Sequence, residues 1–290
     1  MQFFSYLING ISLGSVYALI ALGYTMVYGI AKMLNFAHGD VIMIGSYVVY
    51  FAFGASGLNP VLSIVLSMIV CTILGVVIER LAYRPLREAP SLAVLITAIG
   101  VSYLLQQVAQ LSWSSNPKSF TSVVSGMKPV SLFGGQLTIS AETIVTIVAC
   151  VVIMVVLMWF VNYTPAGHAM LAVSEDRGAA QLMGVNVNGT ISLTFAIGSA
   201  LAAIAGALLC SSYPTLQPTT GAMPGIKAFV AAVFGGIGSI PGAFVGGILL
   251  GIIENLSKAY ISTQLSDAIV FLVLIVKPTG LLGKKVNVKV

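Results

Sequence analysis

Over 290 residues the chain is 58% hydrophobic and only 7% charged, with a mean hydropathy of +1.03, far from the roughly 25% charged residues of an average soluble domain. That composition excludes a soluble globule and reads as an integral membrane protein. The formal charge of +5 would suggest an acidic partner in a soluble chain, but here the cations sit mainly in loops and at the C-terminus, where orientation in the bilayer explains them more simply.

A span needs about 20 apolar residues, so the apolar stretches supply about eight or nine crossings. They are continuous and lack the period-2 alternation of a membrane barrel, which leaves helices as the spanning structure. The expected fold is an all-α integral membrane protein: a single polytopic bundle of about eight or nine transmembrane helices over residues 1–290, with interrupted helices. Cys71, Cys150 and Cys210 each lie within or at the end of an apolar segment and are odd in number, so no disulfide framework is indicated and packing is their expected role.

Residues 3–30 form the first long apolar segment. No Lys or Arg precedes it, so the basic leader of a signal peptide is missing and the segment is expected to be retained. Gly10 and Gly14 make a GxxxG pair that permits close helix approach in a bilayer, although in a chain with 30 glycines such a pair also arises by chance. Lys32–Asp40, KMLNFAHGD, then interrupts the hydrophobicity before Val41–Phe53 resumes it. Asn35, Phe36, His38 and Asp40 fall close together here, and polar groups at membrane depth are costly unless paired or facing a cavity. Two readings compete: an interfacial loop, or a helix break whose freed backbone groups line a translocation path.

Asn59-Pro60 opens the next span, Val61–Ile78, which runs into ERLAYRPLREAP. Arg80, Arg84 and Arg87 make this the densest basic loop, so it is expected on the cytoplasmic side, with Glu79 paired to one of the arginines. Ser91–Leu111 then crosses outward and carries Gln106 and Gln107 toward its far end. The connection Ser112–Ala141 is the longest polar one, and the apolar alternation around Gly134-Gly135 in residues 130–139 predicts a small hairpin. It is a candidate docking surface for a binding protein or a simple cap. Glu142–Val161 returns inward, and residues 191–212 go outward with Gly198, Ala202 and Gly206 at four-residue spacing, a small-residue packing face.

Prolines break the chain at residues 211–225, and Gly225–Gly251 is the most glycine-rich stretch. A short apolar helix, Ile226–Phe234, fits before the Gly235-Gly236 break and predicts a second interrupted helix opposite the first. Lys227, the one cation of that region, either snorkels to the interface or presents its ammonium to an anionic substrate group. Glu254 and Lys258 stand at i and i+4, an ordinary helix pair. Asp267–Val276 leads to a last inward segment, followed by Lys277, Lys284, Lys285 and Lys289, which mark a cytoplasmic tail.

Between the fifth and sixth long segments lies a polar, small-residue island, Thr164–Asn188. Glu175, Asp176 and Arg177 stand in a row before Ala179, Ala180, Leu182, Met183 and Gly184. This predicts a short amphipathic helix over about residues 174–187 with a charged start and a glycine stop. Such a helix belongs at the membrane surface, and counting crossings from the arginine loop places it on the same, cytoplasmic side. The plain alternative is a connecting loop.

Ala179-Ala180-x-x-x-Gly184 resembles the EAA loop of ABC-importer permeases, with Gly178 where that motif carries its glutamate. Four further blocks, LNFAHGD (Leu34–Asp40), ERLAYRPLR (Glu79–Arg87), GIKAFVAAVFGGIGSIPGAFVGG (Gly225–Gly247) and KPTGLLGK (Lys277–Lys284), are similar to the LivH-type permeases of branched-chain amino acid (Leu/Ile/Val) ABC importers. Related sugar and urea permeases share part of the pattern. The resemblance implies a permease without bond chemistry of its own. It also implies a second permease chain of LivM-like type, two cytoplasmic ATPase subunits and an extracytoplasmic amino-acid-binding protein, with no nucleic acid. The location implied is multi-pass in the bacterial cytoplasmic (inner) membrane. Glu175, Asp176, Arg177, Ala179, Ala180 and Gly184 would then couple to an ATPase. Asn35, Phe36, His38, Asp40, Lys227, Gly235 and Gly236 become candidates for the translocation path.

No G-x-x-x-x-G-K-[ST] occurs, so the chain cannot cradle ATP phosphates by itself; the expectation is no cofactor on this chain and ATP used by its partners. His38 and His168 lie in different segments without metal-site spacing, so neither a catalytic residue nor a metal site is expected. The competing function is an ion-coupled secondary transporter or channel for a small solute, with Asp40, His38 or Glu254 carrying protons.

Overall fold

A computed structural model describes residues 2–124, 126–132, 137–276 and 280–281. Six helices in it are long and apolar enough to cross a membrane. These are α1 (Gln2–Ala31), α3 (Pro60–Ile78), α4 (Ser91–Trp113), α5 (Ala141–Tyr163), α8 (Val187–Ser212) and α10 (Ile240–Tyr260). Shorter helices complete the bundle: α2 (His38–Val49), α6 (Pro165–Glu175), α7 (Arg177–Leu182), α9 (Ala222–Gly235) and α11 (Ser266–Val276). The chain is thus an all-α polytopic membrane protein. The turn Gly134-Gly135 and the basic tail of Lys277, Lys284, Lys285 and Lys289 lie outside the described residues, while the strands β1 (Val130–Leu132) and β2 (Leu137–Ile139) pair as the expected antiparallel hairpin.

Local chemistry sets the helix ends. Asn59 accepts a hydrogen bond from the Val61 N–H with Pro60 in the first helical position, Ser140 caps α5 through the Thr143 N–H, and Ser239 caps α10 through the Gly242 N–H ahead of Pro241, as N-capping residues and N-terminal prolines do. The second span starts earlier than hydropathy suggests, at His38, and runs beyond Val49 through a wider π-type turn to Ala55.

Glycine decides where the helices touch. α1 and α10 run antiparallel with backbones in contact. Cβ atoms placed on Gly14 and Gly251 would lie 2.6 Å from the Ile248 carbonyl oxygen and 2.1 Å from the Gly14 nitrogen, and one on Gly247 would lie 2.4 Å from Ala18. The Gly10/Gly14 pair is therefore a packing seam. α8 meets α3 where Gly75 makes room for the Ser199 side chain, and Gly206 of its small-residue face lies against Ile42 and Ser46 of α2. The three cysteines are free and buried in these contacts.

The arrangement of α1, α2 and α3 is repeated with opposite sense by α8, α9 and α10. Each first helix is followed by a non-helical break, residues 32–37 and 213–221, then a short helix, then a long one. α1 packs against α10 of the other set, and α8 against α3. Antiparallel passage of α1 and α8 is marked by Gly23 against Gly198 and by Leu13 and Leu209 lining one cavity. This is the inverted-repeat plan of many transporters.

Candidate transport site

The two short helices begin against each other. A Cβ on Gly221 would sit 1.8 Å from the Gly39 carbonyl oxygen, and one on Gly39 would sit 2.6 Å from that of Gly221. The break before α2 is largely packed inside the protein: Met33, Asn35 and Ala37 are buried, Lys32 is exposed, and Lys32 takes a left-handed φ of 54° to turn the chain back. Asn35 accepts a hydrogen bond from the Tyr83 hydroxyl at 2.9 Å. Phe36 packs its ring 5.5 Å from that of Phe229 on α9. His38 lies edge-on to Tyr24 at 4.7 Å, with no hydrogen-bond partner for Nε2. Asp40 accepts from the Gln106 amide at 2.9 Å, so the glutamine noted on α4 reaches the break. Asn35, Phe36, His38 and Asp40 thus turn to different partners around the break, with Phe36 half-buried against α9 and the other three buried.

Gly235 and Gly236 lie apart from it. Gly235 is where α9 meets α10, a Cβ there falling 2.0 Å from the Gly242 oxygen, and Gly236 reverses the chain at φ 106°. Lys227 is also elsewhere and does not snorkel: it is 6% exposed and held by two carboxylates, Glu254 Oε1 at 2.9 Å and Asp267 Oδ1 at 2.7 Å. The Glu254–Lys258 pair is likewise more than an ordinary surface pair. Glu254 is fully buried, its Oε1 also takes Lys258 at 2.6 Å, and its Oε2 accepts from the Tyr17 hydroxyl at 2.8 Å. This network borders a cavity of about 210 Å³ between the first halves of α1 and α9 and the last turns of α8 and α10. Sequence reasoning missed Tyr17 and Asp267 entirely, because nothing in their local pattern marks a contact made across three helices.

At the opposite end lies the amphipathic segment. The single helix expected over 174–187 is two helices, α6 and α7, jointed at Asp176, whose φ of −151° and ψ of 114° break the helix while its carboxylate caps α7 through the Ala179 N–H. The segment also starts earlier, because Thr164 and Pro165 begin α6. Gly184 stops the second helix at φ 84° as expected. Ala180 is buried against the bundle and Gly178 exposed, while Leu182 and Met183 stand 89% and 84% exposed. Arg177 reaches back and donates to the carbonyl of Ala31, the last residue of α1. Burial, with the like charge of Arg87 nearby, pulls its guanidinium below the usual arginine pKa.

Arg87 pairs with buried Glu79, as anticipated for one of the three arginines, and also donates to Asn188; Glu79 accepts from Ser192 on α8. The arginine loop, the start of α8 and the end of α1 therefore meet at one end of the bundle, beside α7. No group of three or more His, Cys, Asp or Glu placed to hold a metal occurs among the described residues.

Inverted repeats, two broken helices meeting inside the bundle and a surface helix with exposed apolar residues define a polytopic transport permease. A family profile described as "Branched-chain amino acid transport system / permease component" matches residues 6–277. The chain belongs to that family. It is 44% identical to the high-affinity branched-chain amino acid transport system permease protein LivH of Salmonella typhimurium, covering 98% of this chain and 96% of that one, with the same figures for LivH of Escherichia coli K12. It is also 44% identical to the corresponding permease protein BraD of Pseudomonas aeruginosa, over 96% of this chain and 95% of that one.

Proposed function

We propose that this chain is the membrane-spanning permease subunit of an ABC importer that carries Leu, Ile and Val across the bacterial cytoplasmic membrane. The observation that carries the reading is 44% identity, over nearly the whole chain, to permeases whose names specify branched-chain amino acid transport. Two ATPase subunits supply the energy, a second, LivM-like permease completes the pathway, and an extracytoplasmic binding protein delivers the substrate. The chain crosses nine times, counting α2 and α9 with their lead-in segments and α11, with its N-terminus outside.

In this reading α7 is the coupling element, and Leu182 and Met183 enter an apolar cleft of the ATPase. Asp176 and Gly184 are the joints on either side of it. Arg177 links α7 to the last carbonyl of α1, so displacement of α7 pulls on the break that holds Asn35 and Phe36 and on the first turn of α2 with His38 and Asp40. A rigid-body shift of this kind opens one side as it closes the other.

The test is uptake of labelled leucine into proteoliposomes containing this chain alone, or this chain with the partner permease, ATPases and binding protein, energised by ATP or by an ion gradient. Uptake that needs ATP and every partner is expected. Uptake by the single chain on a gradient would overturn the reading and identify an ion-coupled transporter.

A further inference from the structure

The cavity beside Lys227 and Glu254 is a built polar chamber with an apolar wall. Lys227, Lys258 and Glu254 line it, and Asp267, outside the lining, pairs with Lys227, so the network holds two cations against two carboxylates. They cancel. A net-neutral cluster in a low-dielectric surround accepts a net-neutral guest without an uncompensated charge, whereas a guest with one charge leaves a group unpaired at high cost. One member is also exchangeable. Glu254 Oε1 takes both lysines and Oε2 takes the Tyr17 hydroxyl, so Lys258, whose side chain is 34% exposed, can leave Glu254 while Lys227 still neutralises it. Leu13, Leu209 and Met223 supply the apolar side of the chamber. Its volume of about 210 Å³ falls below the roughly 300–1,000 Å³ of drug-sized sites and is on the scale of one small amino acid.

We propose that this chamber is a membrane-embedded binding site for a zwitterionic aliphatic amino acid. Lys258 takes the α-carboxylate, Glu254 faces the α-ammonium, Asp267 holds Lys227 in place from outside the cavity, and the Leu13–Leu209–Met223 wall receives the side chain. The chamber lies in the half of the bundle away from α7, the half that contains the start of α1, through Tyr6 against Tyr260. Substrate therefore occupies it before reaching the Gly39–Gly221 contact. This site rests on the permease reading above, and it adds a selection by charge within the membrane, separate from selection by a binding protein.

The experiment measures binding of labelled L-leucine to the assembled permease–ATPase complex in lipid nanodiscs without binding protein, beside ATP-driven uptake by the same complex reconstituted in proteoliposomes with its binding protein. Wild-type complex is expected to bind leucine. Isoamylamine, which lacks the carboxylate, and 4-methylpentanoate, which lacks the ammonium, should each compete at least about tenfold less well, the loss expected for one charge-assisted contact. Lys258→Met should weaken leucine binding by about the same factor and Lys258→Arg should largely restore it, with thermal unfolding midpoints matching wild type. A preparation that transports leucine with ATP but binds none in nanodiscs refutes the site and leaves the permease reading intact. So does equal competition by leucine and both analogues, a result that does not depend on any variant folding. A wild-type complex with no ATP-driven uptake would remove the permease reading itself.

Discussion

The α1–α10 seam makes a prediction in which geometry sets both sign and size. In Gly251→Ala the new methyl would stand 2.1 Å from the Gly14 nitrogen and 2.2 Å from its Cα. Ordinary contact begins at 3.4 Å, and the obstacle is backbone, which no rotamer change can move aside. The helices must separate by more than about 1 Å, and membrane helices are held by close van der Waals approach and not by hydrophobic exclusion. One added methylene in a tight core costs about 1–3 kcal/mol, and the backbone obstacle puts this case at the upper end. Gly100→Ala in α4 is the matched control, since nothing lies within 4 Å of its Cβ and alanine is favoured over glycine in a helix by about 1 kcal/mol. Cys71, Cys150 and Cys210 are free and buried, so a thiol-reactive dye reads unfolding in detergent without added labels. Gly251→Ala should lower the midpoint clearly, and Gly100→Ala should leave it unchanged or raise it. Equal midpoints for the two variants would refute the claim that this seam is closed by backbone contact.

Two further outcomes are expected. Arg87→Met strands the buried Glu79 carboxylate with Ser192 as its remaining partner, a loss of about 3–5 kcal/mol for a broken buried pair. Glu79→Gln removes the charge itself and should cost less, so in the dye assay the reverse order of midpoints would contradict a buried ion pair. At Gly184 there is free space but a φ of 84°, so Gly184→Ala should cost only backbone strain, about 1–2 kcal/mol, and Gly184→Asn less, because asparagine tolerates the left-handed region. Limited proteolysis between α7 and α8 should rank wild type, Asn, then Ala in rising cleavage; identical cleavage of all three would contradict the strained stop.

Much of this architecture was legible because small residues at four-residue spacing have few uses in a bilayer other than close packing. Gly10/Gly14, Gly198/Ala202/Gly206 and Gly247/Gly251 all mark helix contacts, and Asn59-Pro60 announced its helix start. The Glu79–arginine pairing followed from placing an acid beside the densest basic loop. The joint at Asp176 was not read, since charged residues at a helix start and a capping aspartate between two helices share one composition. Lys227 and Glu254 were assigned to separate roles because each has a sufficient local explanation, snorkelling for one and an i, i+4 partner for the other. Their meeting with Tyr17 and Asp267 depends on how α1, α9, α10 and α11 pack. The inverted repeat stayed hidden for a related reason: its halves share a pattern of break, short helix and long helix without sharing residues.

Where the bundle can move follows from where it cannot. Along α1–α10 the backbones touch, and along α8–α3 the Ser199 side chain fills the space over Gly75, so each pair behaves as a rigid unit that resists sliding. The two units join across the α1–α8 crossing at Gly23 and Gly198 and through the short helices that meet at Gly39 and Gly221. At that second point the closest approach is backbone against backbone. The contact is glycine against glycine, flanked by His38 with Nε2 unbonded and by the Phe36 and Phe229 rings. Among the described residues no hydrogen bond joins the short helices to each other, whereas parting the α1–α10 seam forfeits continuous packing over several turns. The ties at the far ends, Arg177 to Ala31 at one and Lys227 to Glu254 and Asp267 at the other, each connect a short or surface helix to a rigid unit. In the proposed coupling, a force applied at α7 would be delivered to α1 through Arg177, and the junction of α2 with α9 would be the place to open.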